Sequence, residues 1–445
     1  MRIQIPEKVN QVISCLTEAG FEAYVVGGCV RDAILGRTAN DWDITTNAKP
    51  EQIKALFPRT VDTGIQHGTV TVLIGKEGFE VTTYRIDGEY TDSRHPKEVI
   101  FTSSLLEDLK RRDFTINAMA YNEKDGLVDA FDGMGDLKRR QIRCVGDPRE
   151  RFTEDALRIL RAVRFSAQLD FSIEEKTKRA VSEFAPQLSN ISAERIQVEM
   201  VKLLTSEHPE VWRTVYETGI SAVILPEFDA CMETPQNNPH HCYTVGEHTL
   251  HALPHVEADK VLRLAVLLHD IGKPQTRTTD AQGNDHFICH GDVGEELAGK
   301  IMRRLKFDND TRHRVKHLVR VHDYFQIEPT QRGVRRAVYK IGEEAFPDYL
   351  KLRRADILAQ NPAMQQEKLL RLAQTEALYQ KILEEKNCLS LKELAVTGKD
   401  LIEAGVEPGP KLGTILNQLL ELVIENPSCN TKEYLLSRIQ TETCD

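Results

Sequence analysis

The sequence predicts an α+β head followed by an all-helical remainder, on two patterns and one compositional fact. Residues 1 to about 140 alternate short β-rich runs bounded by glycine with amphipathic stretches, which suits helices on a small antiparallel or mixed sheet. From about residue 146 onward the apolar residues recur at helical spacing. The 445-residue chain is 40% hydrophobic and 28% charged, which excludes a largely disordered chain and fits roughly three folding units. Lys plus Arg number 58 against 68 Asp plus Glu, a net charge of −10, so any contact with nucleic acid must come from local basic patches.

Pro6 opens the first predicted helix and Gly20 closes it. FEAYVV (21–26) reads as a buried strand ending at Gly27-Gly28, and the short helix CVRDAILG stops at Gly36. After RTAND, DWDITT (41–46) reads as a second strand, and Pro50 stands at the start of the helix in KPEQIKALF. HGTVTVLIG and GFEVTTYR have the pattern of a β-hairpin. The polar segment 86–108, which carries Pro96, reads as a mobile loop ending in a helix. TEDALRILRAVRFSAQL is predicted as one amphipathic helix with Thr153 as N-cap, and SAERIQVEMVKLL as another. The expected division is a head (1–140), a helical neck (141–205), a helical body (206–365) and a helical, acidic tail (366–445) broken at GVEPGPKLG.

The nine cysteines are scattered and contain no CxxC, so they read as reduced thiols. The start, MRIQIPEKVN, has no signal-peptide core, and no apolar run approaches the roughly 18 residues of a membrane span. The expectation is a soluble cytoplasmic protein.

Asp41 and Asp43 are two apart on a predicted strand, which sends both carboxylates to one face while Trp42 points to the other. Two adjacent hard oxygen ligands suit Mg²⁺, and Glu80 on the hairpin is a candidate third. Gly27-Gly28 at the preceding strand end lets a triphosphate approach backbone amides, with Arg31 one turn into the next helix. A carboxylate pair alone is also what a solvated strand end looks like. The order strand, Gly-Gly, helix, Asp-x-Asp favours the site.

That order resembles the polymerase-β-type nucleotidyltransferases. The longer match, GGCVRDAILGRTANDWDITTNA, then RRDFTINAMAYN (111–122), EDALRILRAVRFSAQL (154–169) and ERIQVEMVKLL (194–204), resembles the bacterial class II tRNA nucleotidyltransferases, the CCA-adding enzymes. The resemblance spans roughly the first 205 residues. It implies a polymerase-β-like head, catalytic Asp41 and Asp43 binding Mg²⁺, CTP and ATP as substrates, tRNA as partner and no obligate protein partner. It also implies nucleotide-binding roles for Gly28, Arg31, Arg112, Asp155, Arg158, Arg161 and Arg164, ribose reading by Asp113 and Asn117, and a switching role for the 86–108 segment.

Asp155, Arg158, Arg161 and Arg164 are spaced by three, so they are expected on one helix face. Cytosine and adenine each present an amine donor beside a ring-nitrogen acceptor; uracil and guanine present the reverse. A carboxylate beside a guanidinium complements the first pattern and opposes the second. Asp155 would accept from the amine and Arg158 would donate to the ring nitrogen.

His248, the adjacent His269-Asp270 in LAVLLHDIGKP, and His290 resemble the HD phosphohydrolase pattern, with His322-Asp323 and Asp356 as rival sources of a final carboxylate. His248, His269 and Asp270 are therefore a candidate second site for a divalent metal. His240, His241, His251 and His255 read as ordinary polar residues. The basic run Arg303, Arg304, Lys306, Arg312, Arg314, Lys316 and Arg320 reads either as a tRNA phosphate patch or as a solvated face. The turn around Gly409, Lys411 and Gly413 reads as an interhelical turn or a phosphate contact. Poly(A) or A-only addition is the rival transferase, and an HD phosphohydrolase the rival of another class.

Overall fold

The computed structural model describes residues 2–39, 41–87, 99–324 and 327–442. Residues 88–98, the centre of the segment expected to switch, lie outside the described residues. The chain forms two compact units, Met1–Pro226 and Glu227–Asp445.

In the first unit, helix α1 (Glu7–Glu18) buries Val9, Val12, Ile13 and Leu16, one face at helical spacing. Strand β1 (Ala23–Val26) is buried along its whole length and leads through Gly27 into α2 (Gly28–Ile34). Gly27 has φ 83° and ψ −130°, backbone that only glycine adopts without strain. Next come β2 (Ile44–Thr46), α3 (Pro50–Leu56, Pro50 at its first position), β3 (Thr60–Gly64), β4 (Thr69–Ile74) and β5 (Glu77–Thr83). The β4–β5 hairpin forms as expected, pairing Thr69 with Thr82 and Ile74 with Glu77. A small ribbon of β6 (Arg85–Asp87) and β7 (Val99–Phe101) precedes α4 (Leu105–Lys110), β8 (Met119–Asn122), β9 (Gly126–Asp129) and α5 (Gly133–Arg139). The sheet order is β3-β4-β5-β2-β1-β8-β9, antiparallel except where β2 runs parallel to β5. Val26, Tyr84, Leu109 and Ala120 pack in its core.

The sequence-predicted strand over 41–46 is shorter. Asp41 and Asp43 lie in the segment that leads into β2, where the Asp43 carbonyl accepts from Val26 N at 3.0 Å.

The neck helices are α6 (Pro148–Glu154), α7 (Leu157–Leu169), α8 (Glu175–Phe184) and α9 (Ala193–Leu204). The predicted helix starting at Thr153 is in fact two. Asp147 caps α6, accepting from Arg149 N, and Thr153 sits in the last turn of α6, donating to the Arg149 carbonyl. The break falls at Asp155, whose backbone is extended and whose Oδ1 accepts from Leu157 N at 3.0 Å, starting α7.

The second unit is almost wholly helical apart from the short ribbon Arg277–Thr279 with Asp285–Phe287. Its helices include Val245–Ala252, Lys260–Leu268, His290–Arg304, Asn309–Val321 and Phe346–Leu358. Two glycines set how closely they approach. A Cβ on Gly272 would lie 2.3 Å from the His290 carbonyl, and one on Gly291 would lie 2.8 Å from the Arg320 carbonyl. Glycine at 272 brings the loop after Asp270 onto the His290–Arg304 helix, and Gly291 seats that helix on Asn309–Val321. No helix among the described residues is long and apolar enough to cross a membrane.

Candidate active site

Asp41, Asp43 and Glu80 are exposed on the wall of a cavity of about 860 Å³ that is also lined by Glu7, Lys8 and Trp42. Their charges act on one another. Protein atoms crowd the Asp43 carboxyl enough to push it above the ordinary carboxylate range; Arg112 pulls the other way and Asp41 adds to the rise. Desolvation also raises Glu80, with Asp43 and then Asp41 adding to it. Three mutually repelling oxygen donors at an open cavity suit a small hard cation, and the residues fit Mg²⁺ on that ground.

The guanidinium groups begin at Gly27. A Cβ there would meet Arg112 Nη1 at 3.2 Å, so the Gly-Gly turn leaves room for Arg112. Arg112 is anchored from behind by the buried Asp108, at 3.3 Å. Arg31 is buried and held by Asp32 at 2.9 and 3.0 Å and by Asn117 Oδ1 at 2.7 Å. Asn117 in turn donates to Asp113, and Asp113 receives Arg161 Nε at 2.7 Å. Burial would raise Asp113, but Arg161 and then Arg158 hold its carboxyl well below the usual range. The ring of Phe165 lies under three guanidinium groups, with Arg31 at 5.1 Å, Arg161 at 5.4 Å and Arg164 at 3.9 Å. Asp113, expected to read ribose, thus sits inside the arginine network.

Arg158, Arg161 and Arg164 lie on α7, but Asp155 lies ahead of it, so the four do not share one helix face. Asp155 Oδ2 accepts from Arg195 Nη2 at 2.9 Å, whereas Arg158 donates to Glu154 at 2.5 Å and to the Arg111 carbonyl at 2.9 Å. Arg164 pairs with Glu199 and with Gln168. Arg195 and Glu199 on α9 were not singled out from sequence; the signal available was their charge on the face of ERIQVEMVKLL.

The histidine region converges. His248, His269 and Asp356 place donor atoms within 4.8 Å of one another, as do Asp270, His290 and His322. Among the described residues these are the groups of three so gathered. All six side chains are buried. Asp356 supplies the second carboxylate, while Asp323 is exposed. Asp270 is buried and its Oδ2 pairs with Lys273 Nζ at 2.7 Å, while four imidazoles surround it, a donor set that fits a cation. His241, expected to be an ordinary polar residue, packs edge-on against His248 with ring centres 4.9 Å apart. In the basic run, Arg304, Arg314, Lys316 and Arg320 are taken up by Glu227, Asp348, Glu295 and Asp292. Gly409 caps the helix Pro410–Glu425 as an interhelical turn.

A sheet head that joins an exposed Asp-x-Asp to a bank of arginines on the following helices defines a nucleotidyltransferase. The head matches the poly A polymerase head domain model over residues 23–143. Residues 170–232 match the probable RNA- and SrmB-binding site of polymerase A, and 276–439 the putative tRNA nucleotidyltransferase domain 2. The chain is 38% identical to the CCA-adding enzyme of Levilactobacillus brevis over 97% of each chain, and 37% identical to that of Enterococcus faecalis over 96% of this chain and 93% of that one. The crystal structure of the Bacillus stearothermophilus CCA-adding enzyme in complex with CTP superposes with a TM-score of 0.75 at 29% identity, covering 99% of both chains. The Thermotoga maritima enzyme complexed with tRNA shares the fold at a TM-score of 0.63 and 22% identity, over 100% of both chains. The chain belongs to the CCA-adding enzyme family.

Proposed function

We propose that this chain adds C, C and A in turn to the 3′ end of tRNA, using CTP and ATP and releasing pyrophosphate. The observation that carries the reading is that Arg112, which lies against Gly27, acts electrostatically on Asp43, and that Asp43 shares a cavity wall with Asp41 and Glu80. The terminal 3′ hydroxyl attacks the α-phosphorus, a new P–O bond forms, and the bond to the β-phosphate oxygen breaks. Asp41 and Asp43 would hold Mg²⁺, which lowers the pKa of the attacking hydroxyl and offsets charge on the departing pyrophosphate. Gly28 at the N-terminus of α2 and Arg112 receive the triphosphate, and Arg31, Arg161 and Arg164 form the cationic wall behind it.

Asp155 and Arg158 read the base edge. Arg195 and Glu154 fix the two side chains in place from separate elements. We read residues 1–140 as catalytic head, 141–205 as nucleotide-selecting neck, 206–365 as body and 366–445 as tRNA-gripping tail. A tRNA substrate, and cysteines without a disulfide among the described residues, support a cytoplasmic setting.

The deciding experiment gives purified protein a tRNA that lacks CCA, together with labelled CTP and ATP, and sequences the product. Three added nucleotides in the order C, C, A are expected, and Asp43→Ala should abolish addition while leaving the circular dichroism unchanged. Addition of A alone, or a long A tail, would contradict the reading.

A second reading concerns the second unit, where six buried imidazole and carboxylate groups favour a resident divalent cation and phosphoester hydrolysis.

A further inference from the structure

Asp108 on α4 is fully buried, and its two oxygens have separate tasks. Oδ1 accepts from Arg111 Nε at 3.0 Å and Nη2 at 2.7 Å, and from the Arg85 backbone N–H at 3.4 Å. Oδ2 accepts from Arg112 Nη2 at 3.3 Å and from Thr45 Oγ1 at 3.2 Å. Burial alone would raise this carboxyl, but Arg111 and then Arg112 hold it below the usual range, so it stays charged.

Each oxygen leads to a different half of the nucleotide site. Arg112 lies against Gly27, where a Cβ would meet its Nη1 at 3.2 Å, and it acts on Asp43. Arg111 turns its carbonyl to Arg158 Nη2 at 2.9 Å. Charge sharing sets Arg112 apart. Arg31, Arg161 and Arg164 each have a carboxylate partner, in Asp32, Asp113 and Glu199. Arg112 shares Asp108 with Arg111, through one contact longer than either of Arg111's, and its Nε is buried without a hydrogen-bond partner. A guanidinium held so lightly keeps most of its charge for a phosphate, and its aim depends on the carboxylate behind it.

We infer that Asp108 is a positioning residue for both halves of nucleotide recognition. Its Oδ2 aims Arg112 at the triphosphate. Its Oδ1, through Arg111, seats the carbonyl that holds Arg158 at the base edge. Triphosphate affinity and base choice are therefore linked through one buried group that touches neither. The inference rests on the proposed transfer reaction and adds the residue that aligns its two recognition elements.

The test measures single CMP and AMP incorporation on tRNA lacking CCA, with UTP as the competing nucleotide. Asp108→Asn should raise KM for CTP and ATP about tenfold, leave kcat within about threefold, and lower discrimination against UTP about fivefold. Thr45→Val removes only a bond to Oδ2, so KM should rise about threefold with base choice unchanged. In an Arg112→Ala chain, Asp108→Asn should change KM by less than about twofold further, because its effect on the triphosphate passes through Arg112. A purely structural role would instead multiply the full loss onto the Arg112 variant. Circular dichroism verifies folding; if Asp108→Asn does not fold, Thr45→Val in the parent and Arg112→Ala chains decides. Unchanged KM in the folded variants, or full multiplication in the Arg112→Ala chain, overturns the positioning role while transfer by the parent stands. Raised KM with unchanged base choice in Asp108→Asn overturns the link to Arg158. A parent chain that incorporates neither nucleotide overturns the transfer reading itself.

Discussion

Asp41, Asp43 and Glu80 stand exposed on a cavity wall, whereas Asp270 and Asp356 are sealed among four histidines. The first centre offers oxygen alone, with Asp43 and Glu80 pushed up by burial and by neighbouring carboxylates; the second offers mostly nitrogen, already converged. Open carboxylates bind a hard, exchangeable ion that can arrive with a nucleotide and leave with pyrophosphate. Converged imidazoles hold a softer ion as a lasting part of the unit. On the proposed function, one chain would separate a cation of turnover from a cation of residence.

The predictions test that separation from the head outward. Asp155→Ala removes the carboxylate proposed to read the base and leaves Asp41 and Asp43 untouched. Discrimination against U and G should fall by ~1–3 kcal/mol, roughly five- to 150-fold, in single-nucleotide incorporation. Unchanged preference would remove Asp155 from base reading. Gly27→Ala forces a side chain into φ 83° beside Arg112 and should cost about 1–3 kcal/mol, seen as a lower melting temperature and a higher KM for both nucleotides. Arg195→Ala frees Asp155 from its anchor. The expected loss of base preference is about fivefold, on the order of 1 kcal/mol, with recovery in Arg195→Lys.

The smallest effect is in pH. Asp43 and Glu80 are raised in the fold, so they take up protons at higher pH than ordinary carboxylates. In that window the native state binds more protons than the unfolded chain, and metal-free stability falls as pH rises through it. Transfer runs the opposite way, because protonated carboxyls release the ion. Its acid limb should lie above the ordinary carboxylate range and move to lower pH as Mg²⁺ is increased. A pH–rate profile at two Mg²⁺ concentrations checks this; a limb indifferent to Mg²⁺ would detach these groups from the metal.

Punctuation by Pro6, Gly20, Gly27 and Pro50 made the head legible, because proline fixes φ where helices begin and glycine takes the positive φ where an element ends. The break at Asp155 was not legible. Apolar spacing runs unbroken through EDALRILRAVRF, and only the Asp155–Leu157 cap and the pull of Arg195 from α9 divide it. Likewise HDIG pointed to His269 and Asp270, but choosing Asp356 over Asp323 required the packing of helices 86 residues apart in sequence from Asp270 to Asp356, which no local pattern encodes. Pairing partners on distant helices are tertiary facts.

The most direct measurement compares two double variants side by side in Mg²⁺ on tRNA lacking CCA. Asp41→Asn with Asp43→Asn should eliminate incorporation of CMP and AMP, while His269→Ala with Asp270→Asn should keep it within about twofold of the parent. Incorporation that survives the first pair, or is lost in a folded protein with the second, would contradict the division of labour between the two centres.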